Sequence, residues 1–235
     1  MIEWYGTSNT VLVVGTSHIA RVANDLHNRG MDVLAIRGGV LGEIIHHINR
    51  EARFPCKPKY VIIMAGGNDI QKLHRGVGRE LANAGRVAED LEGLVRVCEQ
   101  KFRPNYCVTG TILPRMMGKT GDYGDRCYFI DQLEDVDHLI RKVGDGHRHF
   151  LTDGFVSDRC MDKRPMGAGG PHKQGIRLGL PELDLFLKDK VHLNNAGNER
   201  LMELFNWVMD SLTFEHFAEK RALGRHRSGS MVWKF

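Results

Sequence analysis

A serine, an aspartate and a histidine in this sequence are of the types that nucleophilic catalysis uses, and the last two are close enough to share one loop. Ser17 follows the apolar run Val11 to Val14, and Asp189 stands three residues before His192 near the carboxyl terminus. A serine hydroxyl is a poor nucleophile until a base removes its proton, and the base works best when a third group fixes its tautomer. The pattern therefore predicts Ser17 as nucleophile, His192 as general base and Asp189 as the group that orients the histidine.

Apolar runs typical of buried strands alternate with stretches of helical periodicity along most of the chain. The predicted strands cover residues 11–14, 32–36, 60–64, 105–113 and 149–152, and the predicted helices cover 17–28, 41–50, 79–102, 128–143 and 194–212. This alternation favours right-handed β-α-β crossovers and an open parallel sheet in an α/β fold. Ligands bind such sheets outside the carboxyl ends of the strands. Because Ser17, Gly42 and Asn68 each follow a predicted strand, the sequence predicts a shared site at that edge.

Serine, glycine, asparagine and histidine occur in this chain in four short blocks. The blocks are Gly15-Thr16-Ser17-His18, Gly42, Gly66-Gly67-Asn68-Asp69 and Asp189-Lys190-Val191-His192. Their order resembles that of the SGNH (GDSL-type) hydrolase family, and the resemblance extends over residues 10 to 212. It implies a three-layer α/β/α fold with an open, mostly parallel, flavodoxin-like sheet of about five strands. It also implies a serine esterase that removes an acyl group from a small ester, carbohydrate or lipid, with no cofactor and no metal.

The resemblance assigns a role to each of five residues. Ser17 is the expected nucleophile, His192 the general base and Asp189 its orienting partner. The oxyanion hole, the set of donors that stabilises the charged intermediate, is expected from the backbone N–H groups of Ser17 and Gly42 and from the side-chain amide of Asn68. Losing one such donor typically slows a reaction by about 100- to 1000-fold.

The glycine of the expected oxyanion hole has rival candidates. Gly38 and Gly39 lie between the second predicted strand and Gly42. Gly42 is preferred because the pair Gly42-Glu43 fits the family's step of a glycine and an acidic residue at the opening of the second helix.

The chain departs from the family at one visible position. Thr16 stands where the family's Gly-Asp-Ser motif has an aspartate. That aspartate is not the catalytic acid, so the expected triad is retained while its supporting hydrogen bonds differ. The residues expected to support the site are Thr16, His18, Gly67 and Asp69.

The length and composition of the chain suit a single domain. A chain of 235 residues with 42% hydrophobic content can bury one good core. The predicted domain covers residues 10–213, after a short lead-in at 1–9 and before a basic, flexible tail at 214–235. Within the domain, residues 114–182 are an irregular region rich in Gly and Pro, and long loops of this kind are usually functional or mobile. This region is therefore expected to shape access to the site.

Positive charge is concentrated in the predicted tail of a chain whose formal net charge is +4. Lys220, Arg221, Arg225 and Arg227 lie there. A solvated tail is one interpretation, and a weak contact with nucleic acid is another. An alternative function is therefore an RNA- or protein-binding module with the SGNH fold and weak or no catalysis, as in retrotransposon first-frame proteins and germ-plasm proteins. The intact catalytic set favours the esterase, whose expected partner is a small acyl-ester substrate.

Three sequence features bear on the compartment. No apolar run reaches the length of about eighteen residues that a membrane span requires, and residues 1–5 lack the features of a secretory signal. The five cysteines are odd in number, widely spaced and without a C-x-x-C pair, so neither a disulfide framework nor a zinc site is indicated. An intracellular, cytoplasmic protein is the resulting expectation.

Overall fold

A computed structural model describes residues 2–5, 10–50, 57–69, 84–113, 148–150, 152, 155, 183–189, 191–222 and 232–233. The strands are β1 (Ile2–Tyr5), β2 (Val11–Gly15), β3 (Asp32–Ile36), β4 (Tyr60–Met64), β5 (Tyr106–Gly110), β6 (Arg148–Phe150) and β7 (Val232–Trp233). The helices are α1 (Ser17–Arg21), α2 (Ala23–Asn28), α3 (Leu41–Arg50), α4 (Ala84–Phe102) and α5 (Asn195–Ala222), with a 3-10 turn at Leu183–Leu185. None of the helices described has both the length and the hydropathy that crossing a membrane requires.

The seven described strands form one sheet in the order β1-β3-β2-β4-β5-β6-β7. β2 has parallel neighbours on both sides, β3 and β4, and the sheet continues in parallel through β5 and β6 to β7. β1 pairs antiparallel with β3 at the opposite edge. The five strands from β3 to β6 have the 2-1-3-4-5 order of flavodoxin-like sheets. The predicted α/β fold with an open, mostly parallel sheet is confirmed, and the short edge strands β1 and β7 extend it.

The central strands are buried on both faces of the sheet. β2, β3 and β4 are buried along their whole length, and successive side chains of a strand point to opposite faces. Val13 of β2 belongs to a hydrophobic cluster with residues of α1, α2 and α5, whereas its neighbour Val14 belongs to a second cluster with residues of α3 and α4. One layer of helices therefore covers each face, which is the expected three-layer arrangement.

The structure corrects the bounds of several predicted elements. The predicted helix at 17–28 is two helices, because Val22, with φ −104° and ψ 12°, ends α1 and begins α2. α5 continues to Ala222, past the predicted end at 212 and into the segment predicted as a tail. β1 lies within the predicted lead-in, and β7 within the predicted tail. The predicted helix at 128–143 and most of the region 114–182 lie outside the described residues.

Candidate active site

Ser17 is the first residue of α1 and comes two residues after the end of β2. Gly15 allows the chain to pass close to the end of β4, because a Cβ on Gly15 would lie 2.7 Å from the carbonyl oxygen of Met64. Thr16 is the buried N-cap residue, and its carbonyl accepts a hydrogen bond from the Ala20 N–H at 2.9 Å. The half-buried Ser17 therefore stands at the carboxyl edge of the sheet, where the sequence predicts the site.

Asp189 and His192 lie on one short loop and form a direct pair. Nδ1 of His192 is 2.7 Å from Oδ2 of Asp189. The other carboxylate oxygen, Oδ1, accepts the backbone N–H of Val191 at 3.0 Å and that of His192 at 2.9 Å. An ionised carboxylate is an acceptor only, so this contact favours a proton on Nδ1 and leaves Nε2 as an acceptor. That tautomer is the one in which a histidine can remove a proton from a hydroxyl.

The hydrogen bonds to Asp189 keep its carboxyl group ionised. Partial burial raises its pKa. The hydrogen bonds from the backbone N–H and imidazole of His192, and from the Val191 N–H, outweigh this effect and lower the pKa to about 2. The side chains of Asp189 and His192 are 47% and 28% exposed, so the pair remains open to solvent. Asp189 therefore carries its charge throughout the pH range in which a histidine normally titrates.

The loop that carries this pair is a hairpin, the 186–193 hairpin, which the structure describes at residues 186–189 and 191–193. At its base Phe186 and Leu193, both buried, face each other in an antiparallel bridge. One step further out, the Leu187 N–H donates to the His192 carbonyl at 2.7 Å. The buried pair at its base anchors the 186–193 hairpin in the hydrophobic core beneath the site.

Asn194 joins the 186–193 hairpin to α5. Its Nδ2 donates to the Asp184 carbonyl at 2.7 Å and to the Phe186 carbonyl at 3.3 Å. Its Oδ1 accepts the Gly197 N–H at 3.0 Å, which caps the amino end of the helix. Gly197 allows close packing here, because a Cβ would collide with the Leu185 carbonyl oxygen. The hydrogen bonds of Asn194 therefore tie the position of His192 to the start of α5.

His192 lies beside the residue that follows the predicted nucleophile. The ring centroids of His18 and His192 are 5.8 Å apart, and the ring planes are tilted by 49°. This contact brings the 186–193 hairpin to the first turn of α1, which begins with Ser17. Among the described residues no hydrogen bond joins Ser17 to His192, and catalytic hydrogen bonds are often long before substrate binds.

Asn68 and Asp69 tie the third sequence block to the loop after β3. Asn68 Nδ2 donates to the Gly39 carbonyl at 2.8 Å. The buried Asp69 accepts the Leu41 N–H, with Oδ1 at 3.0 Å and Oδ2 at 3.3 Å. Because Leu41 is the first residue of α3, Asp69 caps that helix from a distant part of the chain. These two side chains hold the loop between β3 and α3 in one position.

Two of the three candidate glycines for the oxyanion hole, Gly39 and Gly42, have different surroundings. Asn68 contacts Gly39 rather than Gly42. Gly39 is buried, but its N–H donates to the Ile36 carbonyl at 3.1 Å and is therefore engaged in its own turn. Gly42 is exposed in the first turn of α3, and a Cβ there would meet nothing within 4 Å. N–H groups in the first turn of a helix have no acceptor within the helix. The Gly42 N–H can therefore donate to a substrate.

The other predicted residues are described in part. Gly67 is buried at the start of a short helical turn at 67–69. Lys220 and Arg221 fall in the last turn of α5, whereas Arg225 and Arg227 lie outside the described residues. In the part of the chain that the structure describes, no group of three or more His, Cys, Asp or Glu side chains is arranged to hold a metal ion.

Solved structures with a similar fold include several hydrolases. The chain is similar to a protein of Bacteroides fragilis assigned as an acylhydrolase, with a TM-score of 0.61 and 14% identity over 86% of each chain. It is also similar to a GDSL-like lipase from Bacteroides thetaiotaomicron, with a TM-score of 0.61 and 11% identity over 86% of this chain and 88% of the lipase. A variant of an acetyl-xylooligosaccharide esterase from Geobacillus stearothermophilus gives a TM-score of 0.52 and 15% identity, over 85% of this chain and 93% of the esterase.

Sequence comparison gives no such match. No protein-family model matches the chain, and no curated protein matches it. At 11% and 14% identity the similarity to the two Bacteroides structures concerns the course of the backbone. This protein has an SGNH hydrolase-like fold.

Proposed function

We propose that this protein is a serine esterase that removes a short acyl group from an alcohol, a sugar or a lipid. The observation that carries the proposal is the pair of Asp189 and His192, 2.7 Å apart, with the imidazole beside the turn that begins with Ser17. Structures with this fold include a GDSL-like lipase and an acetyl-xylooligosaccharide esterase. Both names support an acyl ester as the class of substrate.

In the proposed reaction, Nε2 of His192 takes the hydroxyl proton of Ser17 while Oγ forms a bond to the acyl carbon. The carbonyl oxygen becomes an oxyanion, to which the N–H groups of Ser17 and Gly42 and the amide of Asn68 donate. The imidazolium then gives its proton to the alcohol oxygen as the ester C–O bond breaks, which leaves the acyl group on Ser17. Water attacks this acyl-enzyme with His192 again as base, and the carboxylic acid and the free serine are released.

The surroundings of these groups support the roles proposed for them. Asp189, with a pKa of about 2, is charged when His192 becomes an imidazolium and so stabilises that cation. The hydrogen bond from Asn68 to the Gly39 carbonyl fixes the amide before substrate arrives. Donors that are already oriented stabilise a transition state without the cost of reorganisation.

Labelling with a fluorophosphonate probe, read by intact mass, tests the proposal. We expect one adduct on the wild-type protein, none on Ser17→Ala, and strongly slowed labelling of His192→Ala. Ser211→Ala is the matched control, since Ser211 lies far along α5 from the 186–193 hairpin, and it should label like wild type. A wild-type protein that forms no adduct and hydrolyses no short acyl ester would contradict the proposal.

A further inference from the structure

Leu187 is an exposed large hydrophobic residue, with 40% of its surface accessible. Exposure of a single leucine is ordinary and indicates nothing by itself. Its location is informative, because Leu187 belongs to the 186–193 hairpin that also carries His192.

The register of the 186–193 hairpin places Leu187 opposite His192. Phe186 pairs with Leu193, and the Leu187 N–H donates to the His192 carbonyl, so residues 187 and 192 form the next pair outward. Directly opposite residues of antiparallel strands send their side chains to the same face, and successive pairs alternate between faces. Phe186 and Leu193 are buried in the core. Leu187 and His192 therefore share the outer face of the 186–193 hairpin.

The proposed reaction places the two halves of the ester against different residues of the site. The carbonyl oxygen must reach Asn68 and Gly42, which lie beyond β4 and β3. The leaving oxygen must reach the imidazole of His192, which gives it a proton. The departing alcohol therefore lies against the 186–193 hairpin, on the face that Leu187 shares with the base.

We propose that Leu187 forms an apolar wall for the alcohol half of the substrate. The preferred substrates are then esters whose alcohol carries an apolar group next to the ester oxygen. This inference rests on the proposed esterase function. It adds that the 186–193 hairpin selects substrates by their alcohol half. Leu187 acts on specificity only and takes no part in proton transfer.

Two series of esters test the assignment by kcat/KM. The alcohol series is ethyl, butyl and hexyl acetate, and the acyl series is ethyl acetate, ethyl butyrate and ethyl hexanoate. A fully buried methylene contributes about fourfold, so a chain covered on one side by Leu187 should gain about twofold per methylene along the alcohol series. In Leu187→Ala this gain should fall below about 1.3-fold per methylene, while the acyl series keeps its wild-type profile.

Two control variants separate specificity from a loss of folding. Leu187→Met retains an apolar side chain of similar volume and should keep the wild-type slope of the alcohol series. Lys188→Ala changes the next exposed residue and should leave both series unchanged. An unchanged alcohol slope in Leu187→Ala, or equal losses in both series, would overturn the inference. A wild-type protein without adduct at Ser17 and without any ester hydrolysis would instead overturn the proposed function itself, and this inference with it.

Discussion

Replacing Asn194 perturbs a side chain that joins the 186–193 hairpin to α5 by hydrogen bonds. Asn194→Ala removes an N-cap, which contributes about 1 kcal/mol, and two donor bonds of about 0.5 to 1.5 kcal/mol each. The bond to the Asp184 carbonyl is 2.7 Å and the bond to the Phe186 carbonyl is 3.3 Å, so the second bond counts at the low end. The expected loss in the free energy of unfolding is about 2 to 3 kcal/mol. Asn194→Ser keeps a cap and loses only the donor bonds, for a loss of about 1 to 2 kcal/mol.

Urea unfolding followed by circular dichroism gives these free energies, and the kinetic constants show whether His192 moves. A displaced base should lower kcat of Asn194→Ala at least tenfold with little change in KM, and should weaken the downfield proton signal of the Nδ1–H bonded to Asp189. Asn195→Ala is the control, because Asn195 is the exposed next residue, and it should change stability by less than about 0.5 kcal/mol. Equal stabilities of the Ala variant, the Ser variant and wild type would refute the reasoning, as would an unchanged proton signal in a destabilised Asn194→Ala.

The ionised state of Asp189 predicts a pH effect, since its folded-state pKa of about 2 lies below the ordinary 3.8. Its contribution to stability is then present above pH 3.8 and is lost as the pH falls through about 2, and Asp189→Asn should remove this part of the pH dependence of unfolding. The same variant should lower kcat by about a thousandfold or more, because a neutral amide does not hold the required histidine tautomer; a kcat near wild type would exclude the orienting role. Asp69→Ala should cost about 1 to 3 kcal/mol in urea unfolding, because the Leu41 N–H loses its buried acceptor, whereas Asp69→Asn keeps an acceptor and should recover most of the loss. Identical stability of Asp69→Ala and wild type would show that the cap on α3 is unimportant.

The central strands could be predicted because their signals are local, whereas the flavodoxin-like sheet was implied by the resemblance to the SGNH hydrolase family. The run Tyr60–Met64 is apolar throughout, as a strand buried on both faces must be, and the structure places it at the centre of the sheet. β1 and β7 were not predicted, because strands of four and two residues are too short to show a period. Val22 sits on the apolar face of a continuous helical pattern, so nothing local marks the break between α1 and α2.

In the candidate site, too, local patterns could be predicted from the sequence and tertiary contacts could not. The three-residue spacing of Asp189 and His192 is a local pattern, and the structure places their side chains in contact. The bond from Asp69 to the Leu41 N–H joins residues 28 positions apart, so no spacing rule could find it. Asparagine is a common N-cap residue, but the bonds from Asn194 to the carbonyls of Asp184 and Phe186 depend on how the 186–193 hairpin folds back. Tertiary contacts of this kind decide which of several plausible side chains orient a site.

The contact between His18 and His192 joins the beginning of the chain to a hairpin that α5 must hold in place. During synthesis the ribosome releases Ser17, Gly42 and Asn68 long before it releases His192. The amino-terminal strands can therefore assemble while Ser17, the proposed nucleophile, still lacks the histidine proposed as its base. The α5 residues that pack on the core, such as Phe205 and Val208, emerge later still. A nascent or carboxy-terminally truncated chain should consequently be inert toward esters, and activity should begin only when the last helix docks.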